Sequence, residues 1–423
     1  MDENPTAELM KSVLFVAYSF PPKGGAGVQR TIKFVKYLPE HGWQPRVLTT
    51  SDLPGILDDS LLPDIPIGTP VSRVRGLGIP AGIPWRVRRW ITRWLLLIDQ
   101  EIGWLPFASQ AGAKLYQQDP WEMIYSTAPP YTNHLVGRSL KDHTGTPWVV
   151  DFRDAWVGNP AITFPTGFHR ELVAKQERSI VTSADRIVVV SEPMRQQFIT
   201  RYAEVPSERF VVIPNGYDGA DYLDARPAAR DQRFTLVYTG SLYGDRQNAD
   251  AFLAALRRAI DDQGIRRDEI RVLFVGSSGP QARQAAEALG LDSVVEFTGY
   301  VQHSDTISYQ LCADALLLII GGGPGSQAVL TGKIFEYLRA GKPILALVPH
   351  GAAADLLAEA GNSIILPPDN GEQISQALVD MVQNRRSGKT PGMSDPGVVA
   401  RFDRKILAGR LADVFDQVWS RSH

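Results

Sequence analysis

Short apolar runs of strand length alternate with amphipathic stretches of helical length along nearly the whole chain, and this alternation constrains the fold most. In the first half the strand candidates are Val13–Tyr18, Arg46–Thr50, Met123–Ser126, Trp148–Asp151, Ile187–Val190 and Val211–Pro214. Helical candidates between them include Val28–Glu40, Asn133–Asp142, His169–Thr182 and Glu192–Arg201. Most of these strands lack a polar residue at every second position, as parallel strands covered on both faces should. A second series follows Asn215-Gly216: Thr235–Thr239, Val272–Val275, Val294–Thr298, Ala315–Ile319, Ile344–Val348 and Ser363–Leu366. The pattern predicts an α/β protein of two Rossmann-like, doubly wound parallel-sheet domains in tandem, facing a cleft. The first is expected over residues 1–217 and the second over 233–400. Residues 401–423 form a last helix with apolar Ile406, Leu407, Leu411, Val414, Phe415 and Val418. That helix either caps the second domain or crosses back to the first.

Composition excludes several classes. The chain has 423 residues, 44% hydrophobic and 21% charged, which are ordinary globular values for two domains. Lys plus Arg is 44 against 46 Asp plus Glu, so no bulk charge calls for nucleic acid. A single cysteine, Cys312, is incompatible with a disulfide framework or a Cys-based zinc finger. The first strand candidate follows closely on Asp2 and Glu3 with no basic segment before it, and no run of about 18 apolar residues appears. A soluble, cytoplasmic protein is the expectation.

Strand one ends in Phe20-Pro21-Pro22-Lys23-Gly24-Gly25-Ala26-Gly27-Val28-Gln29-Arg30, immediately before a helix. Glycines at such a turn let the backbone approach a ligand, and the helix start favours an anion. Gly24 and Gly25 are therefore candidates for donor contact, or serve only the tight bend. A nicotinamide enzyme is disfavoured: Arg30 stands where the dinucleotide fingerprint needs a third glycine, and strand two ends Leu48-Thr49-Thr50 without an acid.

The second half carries more specific words. Tyr238-Thr239-Gly240-Ser241-Leu242 ends its first strand, with Arg246 and Asn248 soon after. Then come Phe274-Val275-Gly276, Phe297-Thr298-Gly299-Tyr300-Val301, and Thr331-Gly332-Lys333-Ile334-Phe335-Glu336-Tyr337-Leu338 running on to Gly341-Lys342-Pro343-Ile344. With Pro214-Asn215-Gly216 and the Gly24-Gly25 loop, this ordered set resembles the GT-B fold retaining glycosyltransferases of family 4, in the subgroup that builds bacterial surface polysaccharides and glycoconjugates. The resemblance implies a nucleotide-sugar donor of UDP or GDP type as substrate, with no further cofactor. It implies a donor diphosphate near Gly240, Ser241, Arg246 and Lys333, Glu336 on the ribose hydroxyls, and the base at Tyr300 and Val301. Ser326, in Gly321-Gly322-Gly323-Pro324-Gly325-Ser326, belongs either to a donor-sugar loop or to a plain surface loop. Ala328 and Ser241 depart from the family, which often has a glutamate and an arginine at these places. The chemistry suits the residues, because a leaving diphosphate needs cationic donors and helix starts rather than a nucleophile.

For the acceptor, Trp148-Val149-Val150-Asp151-Phe152-Arg153-Asp154-Ala155-Trp156 is the other distinctive word. Asp151 or Asp154 could orient an acceptor hydroxyl and Arg153 could touch phosphate; the competing reading is an ion pair that fixes the turn. His134, after another strand end, either helps position the acceptor or caps a helix. No Asp-x-Asp or metal-spaced cluster is seen, so metal dependence is not expected.

Trp85–Ile98 places Arg86, Arg88, Arg89, Thr92 and Arg93 on one side of a helical wheel and Trp90, Trp94, Val87, Ile91 and Leu95 on the other. Such a helix lies in an anionic bilayer interface, on the inner face of the cell membrane, or packs Trp90 and Trp94 into the core. The leading expectation is a hexosyl-type, metal-independent transferase that acts on a glycan or lipid-linked acceptor. The alternatives are a non-catalytic sugar-nucleotide-binding partner of a membrane assembly and a sugar-nucleotide epimerase of the same fold.

Overall fold

The computed structural model describes residues 10–52, 55–78, 82–94, 98–159, 162–223, 225–228, 231–242, 248–323, 325–389 and 392–422, without the side chains of 26, 85, 88, 89, 92 and 93. The chain divides into two units: Met1–Pro214 with Arg404–His423, and Asn215–Asp403.

In chain order the first unit contains β1 (Lys11–Val16), α1 (Ala26–Tyr37), β2 (Trp43–Thr50), β3 (Val71–Val74), α2 (Trp85–Trp94) and α3 (Leu105–Gln118). There follow β4 (Met123–Ala128), α4 (Thr132–Thr144), β5 (Trp148–Phe152), α5 (Gly167–Ser183), β6 (Arg186–Val189), α6 (Glu192–Arg201) and β7 (Phe210–Val212). All strand pairs are parallel, in the order β3-β2-β1-β4-β5-β6-β7. Strand order reverses between β1 and β4, where open α/β sheets bind ligands beyond their carboxyl ends. The strands are buried on both faces. Val13, Phe15, Val47, Tyr125 and Val149 point to one side, while Leu14, Val16, Leu48, Ile124 and Val150 point to the other. The short edge strand β3 was not legible in the sequence, since Val-Ser-Arg-Val is half-exposed and too short for a pattern.

The second unit contains β8 (Phe234–Thr239), α7 (Asp250–Asp262), β9 (Ile270–Val275), α8 (Gly279–Ala288), β10 (Val295–Gly299), α9 (His303–Cys312) and β11 (Ala315–Ile319). Next are α10 (Gly332–Ala340), β12 (Ile344–Leu347), α11 (Ala352–Ala360), β13 (Ser363–Leu366), α12 (Gly371–Arg386) and α13 (Pro396–Ala400). Its sheet is also parallel, in the order β10-β9-β8-β11-β12-β13, with the reversal between β8 and β11.

Helix α14 (Arg404–Ser422) completes the first unit. Its Leu407, Leu411, Val414, Phe415 and Val418 join Val28, Ile32 and Val35 of α1 in one core, while Ile406 is exposed. Asp416 accepts from Lys11 and, at 3.2 Å, from Trp43 Nε1, which ties the helix to the ends of β1 and β2.

Candidate active site

In the second unit the candidate donor residues gather at the carboxyl end of the sheet. Gly240 follows β8 with φ +102°, and its amide donates to the Val275 carbonyl at 2.8 Å. Gly276 follows β9 with φ +125°; a Cβ there would lie 2.5 Å from the Gly240 carbonyl oxygen. No other residue type fits that approach without displacing backbone. Above Gly240 stands Lys333, in the first turn of α10. Its ammonium donates to the Tyr238 hydroxyl at 2.7 Å and lies 4.1 Å from the Tyr238 ring centre. Tyr238 in turn donates to the Ser241 carbonyl at 3.0 Å, so Gly240, Ser241 and Lys333 share one frame. Burial pushes the Lys333 ammonium down to about 7, against the pull of Glu336.

Glu336 lies one turn further along α10, on the same face of the helix as Lys333. One carboxylate oxygen accepts from Gln310 Nε2 at 3.0 Å, and the Tyr222 hydroxyl lies 3.2 Å from Gln310 Oε1. Gln310 is fully buried, so this chain orients Glu336 from below. Tyr337 receives the Thr239 amide at 2.8 Å and donates to the Leu317 carbonyl at 3.2 Å, which locks α10 onto β8 and β11. Tyr300 and Val301 follow β10; the first is 41% exposed and the second packs against the core. Ser326 starts a short 3-10 turn after β11 and donates to the Gly323 carbonyl at 2.7 Å. Arg246 lies outside the described residues.

In the first unit Asp151 has a different partner from the one its sequence neighbourhood suggests. Arg30, not Arg153, pairs with it: Nε and Nη2 each lie 2.9 Å from a carboxylate oxygen. Tyr125 and Thr127 hydroxyls donate to the same carboxylate at 2.8 Å. Burial alone would raise this carboxyl, but Arg30 and the hydroxyls hold it below the usual range. Asp151 is fully buried and its oxygens are occupied, so it supports the strand end from beneath rather than lining a surface. Arg153 instead donates to backbone carbonyls of Gly27, Pro129 and, at 3.2 Å, Ala128. It thereby ties the start of α1 to the turns after β4 and β5. Gly25, with φ +100° and open space where a Cβ would point, precedes α1, and the Gly24 amide donates to the Ile56 carbonyl at 2.9 Å.

Asp154 is the exposed carboxylate of this group; burial of its surroundings raises it and Arg153 draws it down. Its loop is rigidly held. Tyr131 stacks on Trp156 with ring centres 4.5 Å apart and donates to the Ala155 carbonyl at 2.8 Å. Glu177, fully buried on α5, accepts the Trp156 and Val157 amides at 2.9 and 2.8 Å. His134 is also fully buried, and burial pushes its imidazole down to about 3. Trp148 Nε1 donates to Ser126 Oγ at 2.9 Å, and the same oxygen lies 2.8 Å from His134 Nδ1. The imidazole is a core group in the first turn of α4 and presents no atom to solvent. Arg30, Glu177, Tyr238 and Gln310 were missed by sequence reasoning. Tyr238 and Arg30 stood inside quoted motifs, though neither was given its role there; Arg30, Glu177 and Gln310 acquire their roles through partners at least 20 residues away.

Helix α2 leaves Trp90 54% and Trp94 41% exposed, and Val87 is exposed as well, so the packing of these tryptophans into the core does not occur. Trp94 sets its ring edge-on to His169 at 5.8 Å, and Phe168 beside it is 67% exposed. The side chains of Arg89 and Arg93 lie outside the described residues. Among the described residues no helix is long and apolar enough to cross a membrane.

Two parallel α/β units, with a cation and a carboxylate at the carboxyl edge of the second, define a glycosyltransferase of GT-B type. The chain belongs to the family 4-like glycosyltransferases: a Glycosyl transferase 4-like domain matches residues 25–216 and a Glycosyl transferases group 1 domain matches residues 233–384. It is 23% identical over 400 residues to the 2-deoxystreptamine N-acetyl-D-glucosaminyltransferase of Streptomyces fradiae, covering 90% of this chain and 88% of that protein. It is also 23% identical over 244 residues to an exopolysaccharide phosphotransferase of Streptomyces coelicolor. That match covers 56% of this chain but spans only 24% of the relative's length. Among solved structures, the fold matches sucrose-phosphate synthase from Thermosynechococcus elongatus with a TM-score of 0.68 at 16% identity, covering 97% of this chain and 100% of that one. Anabaena HepE in complex with UDP-glucose matches with a TM-score of 0.66 at 16% identity, covering 96% and 100%.

Proposed function

We propose that this glycosyltransferase moves a hexosyl unit from a nucleoside diphosphate sugar, of UDP or GDP type, to a hydroxyl of a glycan or lipid-linked acceptor. Transfer retains anomeric configuration and serves cell-surface polysaccharide assembly at the inner face of the membrane. The observation that carries this reading is Lys333, held over Gly240 by Tyr238 beside the start of α10. A cation, a glycine-lined approach and a helix N-terminus together suit a diphosphate. Glu336, oriented by Gln310, suits a ribose diol. HepE, solved with UDP-glucose, has the same fold, which supports the donor class.

On this reading the anomeric carbon–oxygen bond breaks and its electron pair leaves on the β-phosphate oxygen. The acceptor oxygen bonds to the anomeric carbon on the same face and its proton passes to the departing phosphate. Lys333 and, from its sequence position, Arg246 stabilise the charge that develops there. Nothing in this scheme requires an enzymic nucleophile or a metal. The first unit binds the acceptor, with Asp154 as the carboxylate accessible to it. Exposed Trp90, Trp94 and Val87 on the arginine-rich α2 suit an anionic bilayer. Thermal-shift titration with UDP-, GDP- and dTDP-sugars tests the reading. A melting shift with one nucleotide class, lost in Lys333→Ala, supports it; no shift with any of them overturns it.

A further inference from the structure

The buried amide of Gln310 joins three elements of the second unit. Its side chain, on α9, is fully buried, where an amide is costly unless its hydrogen bonds are made. Nε2 donates to Glu336 Oε2 at 3.0 Å and to Thr239 Oγ1 at 3.4 Å, and Oε1 accepts from the Tyr222 hydroxyl at 3.2 Å. The amide has one possible orientation, because a carboxylate only accepts and must face the nitrogen. Tyr222, from the short turn Gly219–Tyr222, is itself held in place. Its hydroxyl lies 3.1 Å from the Glu336 carbonyl oxygen, and the Arg339 guanidinium lies 4.9 Å from its ring centre. Burial pushes the Tyr222 phenol well up, so its hydroxyl stays a donor.

The consequence falls on Glu336, which is half-buried. Its Oε1 accepts from none of the described residues and is not buried. The lone pairs of a carboxylate lie in one plane. Gln310 engages one of them from below and so fixes that plane, while the outer lone pairs stay available. A ribose offers them two neighbouring hydroxyl donors. A 2′-deoxyribose offers one and leaves a partly desolvated lone pair without a donor. Sites built around a hydrogen-bonded hydroxyl reject the analogue that lacks it, because their own polar group is then left unpaired.

We propose that Gln310 is a positioning residue for donor selection: by fixing the plane of the Glu336 carboxylate it makes this transferase take ribonucleoside diphosphate sugars and refuse their 2′-deoxy counterparts, dTDP-sugars among them. The proposal rests on the donor reading above, in which Glu336 meets the ribose, and narrows it. Contacts to the base or to the diphosphate do not produce this preference, since both groups are the same in the ribo and deoxy forms of one nucleotide.

Titration calorimetry on the full chain tests this, with UDP against 2′-deoxy-UDP and GDP against 2′-deoxy-GDP, so that each comparison keeps the base constant. The parent should bind the ribo form of at least one pair about tenfold or more tightly, the usual worth of a hydrogen bond to a charged group. Glu336→Gln should erase most of that preference. Gln310→Leu should lower the ratio about threefold or more while affinity for the deoxy form holds; general damage to the fold would weaken both forms together. Tyr222→Phe removes a single hydroxyl and should show a milder form of the same change, which keeps the test open if Gln310→Leu does not fold. A preference lost in Glu336→Gln but kept in full by Gln310→Leu and Tyr222→Phe would overturn the role of Gln310 and leave the donor reading standing. Equal affinity of the parent for both forms would overturn the selection, and no nucleotide binding at all would overturn the donor reading and this proposal with it.

Discussion

The Lys333 ammonium hydrogen-bonds the Tyr238 hydroxyl at 2.7 Å while it lies over the same ring, 4.1 Å from its centre. Tyr238 thus fixes both the direction and the environment of the one described cation beside Gly240. Replacing Lys333 with Ala should lower turnover about 100-fold, the loss of roughly 3 kcal/mol typical of one preorganised donor at a leaving oxyanion. Initial rates at saturating donor check this; an unchanged rate would remove the phosphate role.

The same lysine makes nucleotide binding depend on pH. Its ammonium is pushed down to about 7 by burial, and a bound diphosphate favours the charged form. UDP or GDP affinity should therefore fall as pH rises through 7, with a proton taken up on binding near pH 7.5–8 at this one site, as about 7 for the empty state requires. Calorimetry in two buffers of different ionisation enthalpy measures the uptake, which Lys333→Met should abolish.

Asp151 and Arg30 form a fully buried pair, so removing one partner strands the other. Asp151→Ala should cost about 3–5 kcal/mol of first-unit stability. Urea denaturation followed by tryptophan fluorescence reads the loss. Little change would mean that the Arg30 guanidinium is accommodated without its carboxylate partner, against the pairing seen here.

His134 should stay neutral across the physiological range, because burial pushes its imidazole down to about 3. In the unfolded chain it titrates normally, so the unfolded state binds the extra proton between about pH 3 and 6.5. The contribution of His134 to stability is therefore present above pH 6.5 and lost as pH falls below it. Its ring resonances should not move between pH 5 and 8 in an NMR titration; a midpoint near 6.5 would contradict the burial.

Gly276→Ala should unfold the edge of the donor site, because its Cβ would meet the Gly240 carbonyl oxygen at 2.5 Å and its φ is +125°. A melting point several degrees lower and loss of nucleotide-induced shifts are expected; wild-type binding would show that the turn can rearrange.

The membrane reading has a separate test. Trp90→Ser with Trp94→Ser removes two exposed side chains, at a folding cost expected within about 0.5 kcal/mol. Flotation with vesicles containing phosphatidylglycerol should drop several-fold, and equal flotation would end the membrane assignment.

Much of the fold was legible because parallel strands buried on both faces are written as apolar runs. Ala315–Ile319 and Ser363–Leu366 match β11 and β13 residue for residue. The candidate site was legible where a local backbone need shows in the chain, as at Gly240 before its positive φ or Lys333 at a helix start. It was not legible where a role depends on a distant partner. Asp151 and Arg153 are two residues apart and looked like a pair, but β5 ends at Phe152 and Arg153 stands on the bend beyond it, where the chain has left the strand direction. The carboxylate turned inward to Arg30 on another element, and the guanidinium turned to carbonyls.

Amino-acid order alone therefore determined two doubly wound sheets, the glycine turns and the cation with its carboxylate one helical turn apart, because each of these depends on neighbours within a few residues. Tertiary structure decided which charges pair, that His134 is a core group, that Trp90 and Trp94 stay at the surface, and that α14 completes the first unit. The reason is physical: burial and pairing set the energy of a charged or aromatic side chain, and both are properties of what other segments place around it.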